Sequence, residues 1–153
     1  MKQKAAITTQ SQHTLGCFEP VSFPELGIGK EWAKIDTGAY SGALHCTDIK
    51  VFRRGLLRRR VLKFTPLGRA ELATETTTFS RSEVKSSNGH LAKRYLIDTK
   101  IQIGGAEYPM KIGITDRTGL RRNILVGRRF LRENSILVDV RINQEHDKDG
   151  ENS

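Results

Sequence analysis

The clearest pattern in the chain is a period of two. Positions 95, 97, 99, 101 and 103 (Tyr, Ile, Thr, Ile, Ile) alternate with polar or charged neighbours over most of the run, which predicts a half-buried strand over 95–103. The alternation resumes beyond Gly104-Gly105, a hairpin turn, and continues over 108–115 with Met110, Ile112 and Ile114 in register. Upstream, Asn88-Gly89 lies between two further runs and suits a tight hairpin turn that needs positive φ at both central residues. The middle of the chain is therefore expected to be antiparallel sheet. Shorter strand-like runs cover 49–52, 61–65 and 74–82, and Ala33 and Ile35 alternate with Lys34 and Asp36 before Thr37-Gly38 stops the run. Residues 15–23 read as one short edge strand, interrupted by Pro20 and closed by Pro24. Gly27-Ile28-Gly29-Lys30 reads as a turn, lacking the spacer and the Ser or Thr of a phosphate loop.

Near the end the period changes. Asn123-Ile124-Leu125-Val126-Gly127 is a continuous apolar run of the kind buried on both faces. Residues 128–133 have good helix propensity and Asn134 can stop a helix, after which 136–140 form a last strand. Residues 1–13 read as a disordered leader and 141–153 as a polar tail without means to pack. The expectation is one all-β domain over residues 14–140, a small closed barrel with one short helix near the C-terminus.

A chain of 153 residues fits one domain with a proper core. Apolar content of 37% and aromatic content of 7% make that core modest, consistent with polar ends. Two cysteines, Cys17 and Cys46, make no disulfide scaffold and suit a reducing compartment. No signal-peptide core and no apolar run near the roughly 20 residues of a membrane helix occur, so a cytoplasmic protein without a membrane partner is expected. The net charge of +9 changes the picture most, because it favours an acidic partner. Arg53, Arg54, Arg58, Arg59, Arg60 and Lys63 form one basic group and Arg121, Arg122, Arg128 and Arg129 another. Solvated edges that discourage strand pairing account for such groups equally well.

The candidate chemistry centres on Asp36-Thr37-Gly38-Ala39. A carboxylate at the open end of a strand can accept hydrogen bonds from the turn's own N–H groups and from the Thr37 hydroxyl, which orient it and resist its protonation. Gly38 admits close approach of another backbone. The plainer reading is an Asx-turn in which Asp36 only closes a loop.

Taken in order, Asp36-Thr37-Gly38-Ala39, the Ser87-Asn88-Gly89 hairpin, the Arg94-Tyr95 strand, the Gly104-Gly105 turn and Ile124-Leu125-Val126-Gly127-Arg128 resemble a retropepsin-type aspartic peptidase domain. With Ala43-Leu44-His45, Arg129 and Val138-Asp139, the pattern is similar to the bacterial family labelled ATP-dependent zinc proteases, whose members are often encoded with a RimK-type glutamate ligase. The resemblance implies a closed acid-protease-like β-barrel with Asp36, Thr37 and Gly38 as catalytic residues. Ala39, Ser87, Asn88 and Gly89 would touch substrate, the hairpin acting as a flap, and Gly127 and Arg128 would brace the site. It also implies a homodimer, since one chain supplies one Asp-Thr-Gly and the chemistry uses two aspartates.

Neither zinc nor ATP follows from the residues. His45, Cys46 and His90 lack a dependable ligand spacing, and adjacent His45 and Cys46 would face opposite sides of a strand, so no metal and no cofactor are expected. Retropepsins commonly carry acidic residues soon after Asp-Thr-Gly-Ala, one of which pairs with the later arginine. Here Tyr40-Ser41 follow, and Arg128 needs another partner: Asp139, Asp116 or a ligand carboxylate. The arginine-rich stretch between Asp36 and the hairpin is also longer than retropepsins carry. The functional expectation is an aspartic endopeptidase-like hydrolase of peptide or isopeptide bonds in acidic, glutamate-rich polypeptides. Its rival is a non-catalytic acid-protease-like module binding acidic peptides or RNA through its arginines.

Overall fold

A computed structural model describes residues 13–85, 89 and 91–147. Its strands are β1 (His13–Gly16), β2 (Phe18–Phe23), β3 (Ile28–Ile35), β4 (Ala43–Arg54), β5 (Arg59–Pro66), β6 (Thr74–Thr76), β7 (Ser80–Lys85), β8 (Leu91–Ile103), β9 (Ala106–Thr115), β10 (Ile124–Val126) and β11 (Ile136–Asp139). A single α-helix among the described residues, α1 (Arg128–Glu133), precedes β11, and no helix there is long and apolar enough to cross a membrane.

Closure depends on β10. It pairs parallel to β3 through Leu125↔Lys34 and Val126↔Ile35, and antiparallel to β4 through Ile124↔Leu44 and Leu125↔Ala43. The hydrogen-bonded path β10-β3-β2-β8-β9-β4 thereby returns to its start as a closed six-stranded barrel, which removes free edges from the ring. The expected period of two is real: Ile97, Thr99, Ile101 and Ile103 on β8, and Met110, Ile112 and Ile114 on β9, all face the core. Leu44, Ile124 and Val126 are completely or almost completely buried against them. Each such side chain contributes about 1.5–3 kcal/mol relative to exposure, so the short β10 is held by its side chains as much as by its ladder.

Several elements depart from the sequence expectation. The run at 49–52 belongs to a twelve-residue β4, whose first residues close the barrel while the rest forms a hairpin with β5 outside the ring. A register shift between Thr47 and Lys50, with Asp48 at φ +53°, turns the strand outward. The stretch 15–23 is two strands, and β2 is an interior member of the ring, not an edge. Pro20 is tolerated because it lies opposite Trp32 of β3, where the register to β8, which begins at Val21, has not started. The turn before β3 is a 3-10 turn at Pro24–Leu26 ending at Gly27, and Ile28, Gly29 and Lys30 already belong to β3.

The polar tail also needs correction as far as residue 147. β1 pairs parallel with β11, and the chain beyond β11 folds back over both. Cys17 N–H donates to the Ile142 carbonyl at 3.1 Å. Asn143 Nδ2 donates to the Phe18 carbonyl at 2.7 Å, and the His146 ring stacks on Trp32 with centroids 3.8 Å apart. A Cβ at Gly16 would lie 2.5 Å from the Ile142 carbonyl oxygen, so that crossing requires glycine. Polar composition hid this packing because backbone groups and two rings carry it.

Candidate active site

The loop 36–42 joins β3 to β4, the two strands that flank β10. Asp36 keeps the barrel register, its N–H donating to the Val126 carbonyl at 2.8 Å. The chain then turns back so that the N–H groups of Gly38 and Ala39 donate to Asp36 Oδ1 at 2.9 and 2.8 Å. Ala39 N–H also reaches the Asp36 carbonyl. Both side-chain bonds fall on one oxygen, and among the described residues Oδ2 has no hydrogen-bond partner. The carboxylate is thus oriented by backbone while half of its accepting capacity stays open. The Thr37 hydroxyl, expected to join in, is exposed and makes no such bond.

Helix α1 fixes the other side of the loop. The first N–H groups of a helix lack partners within it, and the residue before α1, Gly127, offers no side-chain cap. Loop carbonyls serve instead: Arg128 N–H donates to Ala39 O at 2.7 Å and Arg129 N–H to Tyr40 O at 3.0 Å. Such contact leaves no room for a side chain. A Cβ at Gly127 would lie 2.6 Å from Ala39 O, 2.6 Å from Gly42 N and 2.7 Å from Tyr40 O. Gly42, at φ +75°, would place one 2.5 Å from Leu125 O.

Arg128 braces this loop differently from expectation. Its Nη1 donates to the Gly38 carbonyl at 3.0 Å and its guanidinium sits 5.5 Å from the Tyr40 ring centroid, with that of Arg129 5.8 Å away. The aromatic face of Tyr40 stands where a carboxylate was expected. Neither acidic candidate is its partner: Asp139 is held by Arg141 Nη2 at 2.8 Å and Asp116 by the Thr118 hydroxyl at 2.6 Å. The Arg141 bonds hold the Asp139 carboxyl down at about 2, and the Thr118 bonds lower Asp116.

Two arginines that the sequence reading gave no role gather near Asp36. Arg94 of β8 lies over β9, its Cδ only 2.6 Å from where a Cβ would stand at Gly113, and burial lowers its pKa. Burial, then repulsion from Arg94, lowers that of Arg117, while the Asp36 charge opposes the shift. Both guanidinium groups stay charged; Arg117 feels both the Asp36 carboxylate and Arg94. Arg117 is positioned by its N–H donating to His45 Nδ1 at 2.9 Å and its Nε donating to the Arg122 carbonyl at 2.7 Å. The one signal for this pair was glycine at position 113 inside an alternating strand.

The structure brings Asp36, Gly38, Ala39, Gly127 and Arg128 into one cluster. Ser87, Asn88 and His90 lie outside the described residues. Gly89 is exposed at φ +88°, and the flanking strands pair antiparallel from Ser80↔Leu96 to Lys85↔Leu91. His45 uses Nδ1 as an acceptor, which makes Nε2 the protonated nitrogen of its neutral ring, and the buried Cys46 thiol is pushed up to about 12 by loss of water.

Comparison with known proteins adds the following. The family model described as RimB-like, retropepsin-like aspartic endopeptidase RimB, matches residues 14–149. A protein of Shewanella halifaxensis named probable alpha-L-glutamate ligase is 30% identical over 134 residues, covering 86% of this chain and 29% of that protein. One of the same name from Desulfotalea psychrophila is 25% identical over 126 residues, covering 80% and 27%. The chain thus spans under a third of the length of these curated relatives. The crystal structure of Lpg0085 from Legionella pneumophila, a protein of unknown function, superposes with a TM-score of 0.65 at 22% identity over 85% of this chain and 95% of that one, a likeness of fold.

Proposed function

The chain belongs to the RimB-like family of retropepsin-like aspartic endopeptidases, and from that premise we propose that it is an aspartic-type peptidase whose Asp36 works as a pair with Asp36 of a second copy. The observation that carries this reading is the half-engaged carboxylate: Oδ1 held by two backbone N–H groups and Oδ2 open at the end of β3. Two such carboxylates about 3 Å apart across a twofold axis cannot both ionise and share one proton. The ionised member takes a proton from water as its oxygen attacks the scissile carbonyl carbon, and the protonated member gives its proton to the carbonyl oxygen. The tetrahedral intermediate collapses when the carbonyl re-forms, the C–N bond breaks and the nitrogen takes up a proton from the dyad.

Ser87, Asn88 and Gly89 would close over an extended peptide and hydrogen-bond its backbone. Gly127 and Arg128 hold the loop geometry. The substrate class follows from charge: Arg117, which interacts with Asp36, and its neighbour Arg94, within a chain of net charge +9, favour carboxylate-bearing side chains. Relatives named as glutamate ligases support glutamate-rich peptides.

Two measurements test this. Asp36→Asn should abolish cleavage of an oligoglutamate-bearing peptide while leaving association of two copies intact, and an active strict monomer refutes the shared dyad. Raising ionic strength should slow cleavage of that peptide and not of a neutral one; equal responses refute the electrostatic recruitment. Tyr40, in place of an acid, favours the rival non-catalytic binder of acidic peptides or RNA. Undiminished binding in Asp36→Asn without any turnover by the wild type selects the rival.

A further inference from the structure

The β4–β5 hairpin ends in Gly55-Leu56-Leu57-Arg58, closed by Arg58 N–H donating to the Gly55 carbonyl at 3.1 Å. Leu56 and Leu57 are 101% and 87% exposed, the most exposed large apolar side chains among the described residues. Turn geometry asks nothing apolar of these positions, where Gly, Asn and Asp serve best. Around them stand Arg53, Arg54, Arg58, Arg59 and Arg60, all exposed, with Arg53 opposite Arg60 and Arg54 opposite Arg59 in the ladder. Like charges directly across a strand pair are destabilising, and the ion pairing at this tip is that of Arg54 with Glu75 at 2.8 Å. Shielding of a strand edge explains charge but not two bare leucines at the apex. The tip stands at the end of β4 opposite the Asp36 loop, on the part of the hairpin that lies outside the ring.

We propose that residues 53–60 dock this protein peripherally on an anionic membrane surface. Leu56 and Leu57 enter the boundary between headgroups and acyl chains, while the arginines around them meet lipid phosphates. The chemistry favours lipid over RNA. Two branched aliphatic side chains offer no face for base stacking and no hydrogen bond to a base edge, and the tip's own aromatic, Phe52, is covered by Arg54 at 5.0 Å. A membrane partner was not expected from hydropathy because no apolar run is long enough to span. Surface docking needs only a short apolar apex and a ring of cations.

The test is flotation of the full chain with phosphatidylcholine vesicles, with and without phosphatidylglycerol, comparing wild type with Leu56→Ser/Leu57→Ser and Arg58→Gln/Arg59→Gln. Wild type should float only with the phosphatidylglycerol vesicles. The serine variant should lose about tenfold or more of that affinity at unchanged charge, and the glutamine variant should bind less and with a shallower salt dependence. Leu57→Trp should shift its emission to the blue on those vesicles alone. All substituted side chains are exposed, so unchanged melting temperatures verify folding. No binding at low salt overturns the proposal. So does equal binding by the serine variant, which would mark simple adsorption, or preferential binding of a single-stranded RNA that survives loss of the leucines. Asp36→Asn should float like wild type, which keeps this outcome separate from that of the peptidase reading.

Discussion

Gly127→Ala puts the contact between the Asp36 loop and α1 to its most direct test. Gly127 has φ −89° and ψ 175°, a backbone any residue adopts, so alanine adds no conformational strain and only a methyl group. That methyl would meet three backbone atoms at 2.6–2.7 Å, whereas real Cβ contacts stay above 3.0 Å, so loop and helix must part by about 0.4 Å or more. Separation lengthens the 2.7 Å bond from Arg128 N–H to Ala39 O and carries Gly38 away from Arg128. Overpacking of this kind costs about 1–3 kcal/mol, a fall in melting temperature of about 3–10 °C for a domain of this size. Displacement of the loop that orients Asp36 should slow cleavage about 3- to 30-fold, since about 1 Å of misplacement costs about a hundredfold. Gly29→Ala is the control, because its Cβ meets nothing within 4 Å; it should match wild type or melt slightly higher. The assay is thermal unfolding beside peptide cleavage. Wild-type behaviour of Gly127→Ala would refute the claim that backbone contact positions the carboxylate.

Two further predictions concern pH. The Asp139 carboxyl, held at about 2 by Arg141, is depressed below its unfolded value, so its stabilising contribution is present above about pH 4 and disappears as pH falls toward 2. Arg141→Ala should return its titration, followed by NMR, toward the ordinary range; an unchanged midpoint counts against the ion pair. The buried Cys46 thiol, pushed up to about 12, is raised above its unfolded value, so stability present below about pH 8.5 is lost as pH rises toward 12. Cys46→Ala should flatten that alkaline decline, and site-resolved mass spectrometry should find Cys46 unlabelled by alkylating reagents at neutral pH. Rapid labelling there would contradict the burial.

The elements that read clearly were those whose signal is local. Alternation along β8 and β9, the apolar run of β10 ended by Gly127, and a helix stopping at Asn134 each follow from neighbours in sequence. The closed barrel, the Asp-Thr-Gly loop and its alignment with the later Gly-Arg were legible because the motifs recur in a fixed order. What was illegible depends on partners distant in sequence. The Arg128 and Arg129 guanidinium groups both approach the Tyr40 ring, Arg94 packs over Gly113, and residues 141–147 fold over β1; none leaves a periodic mark. β4 was seen only in fragments because its outer half is half-exposed and broken by the bulge at Thr47–Lys50.

The three residues of β10 have a consequence for how this protein comes into being. They lie some ninety positions after the strand they join to β4, so during synthesis the two borders of the Asp36 loop wait without their bridge until those ninety positions have been made. Local hairpins can form early, but the bond from Asp36 N–H to Val126 and the capping of α1 by Ala39 and Tyr40 come late. On the proposed dyad, a nascent copy carries its aspartate well before the loop around it is fixed, and chain order adds to the pairing of two copies as a delay on hydrolysis.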